Sequence, residues 1–149
     1  MTVFVFDIGG CWYGLPVEAV AEVLPMAWVT PVPESPPDVA GVLDVRGQVV
    51  TIVDPTLRLG LPRRPSRATD FLVLVSLDHE ALALRVDGVL GLVSGEITPA
   101  PLPAEGPDFL VGHLRTKEGL ASVLALDRFL RPDVREFALR SKNAPAEAR

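Results

Sequence analysis

Cys11, His79 and His113 are the residues of this chain with the chemistry of a nucleophile and a base, since it has one cysteine and two histidines in all. Nucleophilic catalysis needs the nucleophile, a base in reach and a group to orient that base. Cys11 lies beside a glycine turn, while the histidines lie far along the chain in a different turn and strand. The expectation is therefore a buried structural cysteine and two surface histidines. No Gly-x-Ser-x-Gly elbow is present, and Ser94-Gly95 reads as a bend in a strand. One cysteine and two distant histidines give no metal-ligand spacing. Gly9-Gly10 runs into neither a helix nor a lysine, as a phosphate cradle requires.

Asp54 and Asp127 could be imagined as an acid and base pair. Each also stands where a short helix begins, and capping explains both. Arg58, Arg63, Arg64 and Arg67 form a basic cluster that could touch an acidic partner, although such a loop is more often solvated. The formal net charge of −5 and pI near 5.0 repel nucleic acid and anionic membranes over long range. The expectation is no catalytic residue, no metal, no cofactor and no nucleic acid. The alternative is a small β-barrel module that binds nucleic acid or a small ligand.

The elements that carry these residues are short. Val3 to Asp7 and Trp12 to Leu15 are strands joined by Ile8-Gly9-Gly10-Cys11, whose glycines suit a tight hairpin. Pro16 to Val20 makes one helical turn, Ala21 to Leu24 another strand, and prolines 25 to 37 a stiff extended connection. Gly41 to Val45 and Gln48 to Val53 are paired strands with Arg46-Gly47 at their junction. Asp54-Pro55 opens a short helix to Leu59, and Arg63 to Thr69 reads as a linker. Phe71 to Leu77 and Ala81 to Val86 form a hairpin, and Val89 to Thr98 one strand bent at Gly91 and Gly95. A second proline-rich loop runs from Pro99 to Pro107. Strands near Phe109 to Leu114 and Leu120 to Leu126 follow, then a short helix capped by Asp127 and a last helix over Pro132 to Leu139. Ser141 to Arg149 reads as a disordered tail.

At 149 residues the chain can bury roughly 70% of its unfolded surface. It needs no disulfide, and its lone cysteine suits a reducing compartment. Its N-terminus lacks the basic segment of a secretory signal, and no apolar run nears the roughly 20 residues of a membrane span. A soluble cytoplasmic protein is expected.

The chain also repeats itself. Tyr13-Gly-Leu-Pro-Val-Glu-Ala-Val-Ala-Glu-Val-Leu24 aligns with Leu82-Ala-Leu-Arg-Val-Asp-Gly-Val-Leu-Gly-Leu-Val93, matching Leu15 with Leu84, Val17 with Val86 and Val20 with Val89. Gly41 and the strand ending at Asp54 echo Gly112 and the strand ending at Asp127. Two copies of one unit, each with five short strands, predict an all-β fold of two small barrels packed together, with approximate halves 1–69 and 70–140.

Taken in order, Tyr13-Gly-Leu-Pro-Val17, Val20-Ala-Glu-Val23, Thr30-Pro-Val-Pro33, Gly41-Val-Leu-Asp-Val-Arg-Gly47, Val49-Val-Thr-Ile-Val-Asp54, Leu59-Gly-Leu-Pro62 and Val86-Asp-Gly-Val89 resemble the CheW-like coupling proteins of bacterial chemotaxis. The resemblance spans Val3 to about Leu130. It implies two intertwined five-stranded SH3-like barrel subdomains in a single domain over 1–140. It also implies a free-standing, non-enzymatic adaptor that joins a chemotaxis-type histidine kinase, through that kinase's regulatory domain, to the cytoplasmic tip of transmembrane chemoreceptors. Such a protein sits in the cytoplasm, held at receptor arrays by protein contacts without inserting into the membrane. Position by position, Val20, Glu22, Gly41 and Arg46 match the family's receptor-contact residues, with Gly47 completing the turn. The motif usually has Asn where Asp44 stands, Pro where Thr51 stands and Leu where Pro55 stands. The first departure keeps turn geometry and adds a negative charge near Arg46.

Overall fold

Val3-Phe-Val-Phe6 does not alternate apolar with polar because both faces of its strand are buried. In the computed structural model, which describes residues 1–99 and 107–142, Val3 and Val5 point into one apolar cluster and Phe4, Phe6 and Ile8 into another. The strands are β1 (Thr2–Ile8), β2 (Cys11–Pro16), β3 (Val20–Pro25), β4 (Val39–Val45), β5 (Gln48–Val53), β6 (Phe71–Leu77), β7 (Glu80–Val86), β8 (Gly88–Ser94), β9 (Ile97–Pro99), β10 (Leu110–Thr116) and β11 (Gly119–Leu124). Three helices, α1 (Thr56–Leu59), α2 (Leu126–Phe129) and α3 (Pro132–Lys142), and a 3-10 turn over Val17–Ala19 complete the described elements. The fold is mainly β, as expected.

Each sheet is assembled from both stretches of the chain, 1–69 and 70–140. The six-stranded sheet runs β8-β1-β2-β11-β10-β9 and the five-stranded sheet β3-β6-β7-β5-β4. The β1-β2 hairpin therefore lies among strands of the second stretch, and the β6-β7 hairpin among strands of the first. The exchange is reciprocal down to the register. Tyr13 and Gly14 pair in parallel with Ser122 and Val123, as Leu82 and Ala83 pair with Thr51 and Ile52. Val3 faces Val93 as Leu72 faces Leu24, and both of these ladders slip at the corresponding place, between Val5 and Phe6 in one and between Val20 and Glu22 in the other. The repeat read from the sequence is thus present in the strand pairing.

Neither sheet closes on itself by a continuous ladder among the described residues, so the expected barrels are open sheets whose edges are joined by bent segments. The expected single strand from Val89 to Thr98 is two. β8 ends against β1 at Ser94, Gly95 donates its N–H to the Met1 carbonyl, and β9 turns to pair with β10. In the five-stranded sheet, the chain beyond β3 reaches β4 through Thr30, which exchanges two backbone hydrogen bonds of 2.9 Å with Val42.

Both crossings depend on a glycine. A Cβ at Gly41 would stand 2.3 Å from the Thr30 carbonyl oxygen, and one at Gly112 would stand 2.2 Å from that of Thr98. Side chains at these places would push the crossing segments away. A third apolar cluster, of Val50, Ile52, Leu72, Ala81 and Ala83, fills the five-stranded sheet as Val3, Val5, Leu114, Ala121 and Val123 fill the other. The largest cluster lies between the sheets, and α3 adds Val134, Phe137 and Ala138 to it.

Other expectations need correction. Cys11 is exposed, because it flanks the turn and the buried positions of β2 are Gly14 and Leu15. Corresponding registers place Ala125, the residue before α2, where Asp54 stands; Asp127 lies inside α2, whose start has no side-chain cap. Ser141 and Lys142 belong to α3, and the rest of the predicted tail, like residues 100–106 of the second proline loop, lies outside the described residues.

The linker is exposed along most of its length but is strapped down at Arg64. Arg64 donates to both Asp70 oxygens, at 2.8 and 2.9 Å, and also pairs with Asp87. Asp87 in turn accepts the N–H of Gly9 at 2.9 Å, tying in the β1-β2 turn. Burial alone pushes the Asp70 carboxyl up, but the hydrogen bonds from Arg64 and from the Arg67 N–H outweigh it and hold the group below its ordinary value.

Candidate functional site

The site begins with a turn that most residues avoid. Val45 pairs with Gln48, leaving a two-residue loop whose members both have positive φ, 51° for Arg46 and 85° for Gly47. This is the type I′ geometry that matches the twist of a hairpin, and glycine, asparagine or aspartate normally fills it. A left-handed conformation costs a residue with a Cβ roughly 1–2 kcal/mol. Arg46 is held there by its neighbours. The Gly47 N–H donates to Asp44 Oδ1 at 2.8 Å, fixing the turn from within, and the Arg46 guanidinium grips Glu22 at both carboxylate oxygens. The Glu22 hydrogen bonds, and then its charge, hold the Arg46 guanidinium above its ordinary pKa. Arg46 remains about two-thirds exposed, at 67% of its side chain. The pair is presented to solvent as a fixed feature.

The five residues expected to make the contact surface divide into two groups. Glu22, Arg46 and Gly47 come together at one corner of the five-stranded sheet. Val20 lies near them on β3, half-buried against the central cluster and separated from Glu22 by the slip at Ala21. Gly41 sits apart, buried toward the other end of β4 against the Thr30 segment. Its geometry is that of a spacer. Asp44, absent from the expected set, joins the site as the acceptor that holds the turn. Its signal is legible as an Asp three residues ahead of a glycine at a hairpin tip.

The residues weighed for chemistry do not assemble. Cys11 and His79 occupy different hairpin turns, and His113 lies half-buried on β10 between Thr98 and Ser122. No cluster of three metal-ligating side chains occurs among the described residues. Asp54 is the expected cap of α1, but the cap position is Pro55; Asp54, one residue earlier, accepts from the Thr56 N–H and hydroxyl and pairs with buried Arg85 at 3.1 Å. The basic cluster is dispersed. Arg58 donates to the carbonyls of Arg128 and Phe129 and lies 4.6 Å over the Phe109 ring, Arg63 reaches the Pro37 carbonyl, and Arg64 is in the strap described above. No helix among the described residues is long and apolar enough to cross a membrane.

Two exchanged β sheets with a braced surface turn define a β-rich domain with its distinctive feature on the outside. A family model described as a CheW-like domain matches residues 2–133, and the chain belongs to that family. Among its relatives, the chemotaxis protein CheW of Rhizobium meliloti (strain 1021) is 27% identical over 138 residues, covering 89% of each chain. The chemotaxis protein CheW of Helicobacter pylori is 26% identical over 132 residues, covering 86% of this chain and 80% of its own. The crystal structure of the scaffolding protein TtCheW from Thermoanaerobacter tengcongensis superposes with a TM-score of 0.79 at 23% identity, covering 91% of this chain and 95% of that one. That likeness bears out the fold of two SH3-like subdomains.

Proposed function

We propose that the chain is a non-enzymatic cytoplasmic adaptor that couples chemoreceptors to a chemotaxis-type histidine kinase, working at the membrane only through protein contacts. Its mechanism is simultaneous binding, in which the conformation of the receptor biases the kinase through a shared complex. The receptor tip meets Val20, Glu22, Arg46 and Gly47, with Gly41 further along β4 seating the Thr30 segment against that strand. The kinase's regulatory domain docks sheet against sheet. The observation that carries this reading is Arg46, held in a left-handed turn and braced by Glu22 yet left exposed. Positive φ is shared with Glu34, Asp78 and His79, so it is the exposed guanidinium held by two bonds to Glu22 that points to a role outside the fold.

The test is binding of the purified protein to a soluble signalling fragment of a chemoreceptor from the same organism. Arg46→Glu should keep its thermal melt and weaken binding by about 2 kcal/mol or more, as the loss of a central arginine does. Unchanged affinity in a folded variant would remove the site assignment.

A further inference from the structure

Two carboxylates and one guanidinium meet at the hairpin tip. Glu22 is committed to Arg46 through both oxygens, so that pair is electrically closed. Asp44 is exposed, spends Oδ1 on the Gly47 N–H and forms no ion pair among the described residues. Its second oxygen has no hydrogen-bond partner among the described residues, and its charge is unpaired on an exposed side chain. The corner therefore presents one net negative charge, beside a guanidinium already occupied. A partner carboxylate approaching Arg46 would find a guanidinium whose charge Glu22 already balances, although N–H groups remain free on it, and would meet Asp44 as a like charge. A partner lysine or arginine gains from Asp44 and leaves the brace intact.

We infer that Asp44 is a specificity-determining residue that selects a receptor tip carrying a lysine or arginine opposite Asp44, beside the contact made by Arg46. The inference rests on the receptor-coupling reading above. Asparagine is the informative substitution, because its side-chain oxygen can still accept the Gly47 N–H, so Asp44→Asn removes charge while keeping the turn.

Binding of the same soluble receptor fragment is measured for the native protein, Asp44→Asn, Asp44→Lys and Arg46→Glu at low and high salt. Asp44→Asn should bind about three- to fivefold more weakly near 50 mM salt, the size of one charge pair at a surface, and the ratio should fall toward one near 0.5 M. Asp44→Lys should bind more weakly still, with an unchanged melting curve. Equal or tighter binding of Asp44→Asn at low salt, while Arg46→Glu loses affinity, overturns the charge assignment and leaves the site standing. If Arg46→Glu binds as the native protein does, the underlying reading fails instead.

Discussion

Arg46 and Glu22 lie on opposite edges of the five-stranded sheet, on the β4-β5 turn and on β3, and meet in a two-point ion pair. The pair does mechanical and recognition work at once. It joins two edges that no ladder joins at this end, and it fixes the direction in which the guanidinium faces solvent. A charge-reversed pair, Glu22→Arg with Arg46→Glu, separates the two roles. Exposed pairs contribute little to stability because solvent screens them, so the doubly reversed protein should keep a urea midpoint close to the native one. Its receptor binding should remain as weak as that of Arg46→Glu alone, because the turn then presents the wrong charge. Recovery of binding would mean that the bridge itself, whichever way it points, is what the receptor needs.

Gly41 affects binding by a different route. A methyl group there meets the Thr30 carbonyl oxygen at 2.3 Å, so Gly41→Ala should destabilise the fold by roughly 3 kcal/mol, with any loss of binding tracking the loss of folded protein. Gly112 is the control. It stands equally close to Thr98 and has no place in the proposed contact surface, so Gly112→Ala should also be destabilising in thermal melts, but less than Gly41→Ala, whose φ of 154° adds backbone strain to the clash. A Gly41→Ala protein that melts normally yet fails to bind would make Gly41 a contact residue.

Arg64 should matter more to stability than any other linker residue. Its Asp70 partner is 1% exposed, and removing one member of such a pair leaves a buried charge unmatched, at a cost of about 3 kcal/mol. Asp70→Asn adds a pH signature. The native carboxyl titrates below its unfolded value, so its contribution is fully present above about pH 5, is lost as pH falls through the lowered native value, and is gone below both. The stability gap between native protein and Asp70→Asn should be constant from pH 5 to 8 and close in acid. A gap that widens in acid would reverse the assignment.

The alignment of Leu15 with Leu84 and of Val20 with Val89 marked equivalent positions in the two halves, because a buried strand shows its inward positions as apolar residues. It did not reveal the exchange. Val3 reads as a core residue whichever strand lies beside it, and only the partner's position tells Val93 from a strand of its own half. The turn at Arg46-Gly47 was legible from glycine and the flanking apolar runs. Its brace was not, since Glu22 is 24 residues away and nothing local marks the two as neighbours. Arg64 was misjudged for the same reason, its partner Asp87 lying 23 residues further on. Residue type alone puts Cys11 inside, and its position one step from a tight turn outweighs that preference.

The exchange itself makes a prediction about fragments. In residues 1–69, β1 and β2 keep their mutual pairing but lose β8 and β11, while β3 loses β6 and β5 loses β7. Residues 70–149 suffer the reciprocal loss. Each fragment would expose a long unpaired edge and half of the central cluster, including Phe6 and Ile8 in one case and Leu82 and Leu84 in the other. Neither should melt cooperatively alone, and each should behave as a partly collapsed or aggregating chain. Mixed at equal concentration, the fragments regain every ladder, because the connection lost at the cut is the single linker held by Arg64. The mixture should recover the far-ultraviolet spectrum and a cooperative, concentration-dependent melt, with one copy of each fragment in the complex by gel filtration. Cooperative folding of either fragment alone would show that the half-chain carries a sheet of its own, contrary to the reciprocal pairing of β1-β2 and β6-β7.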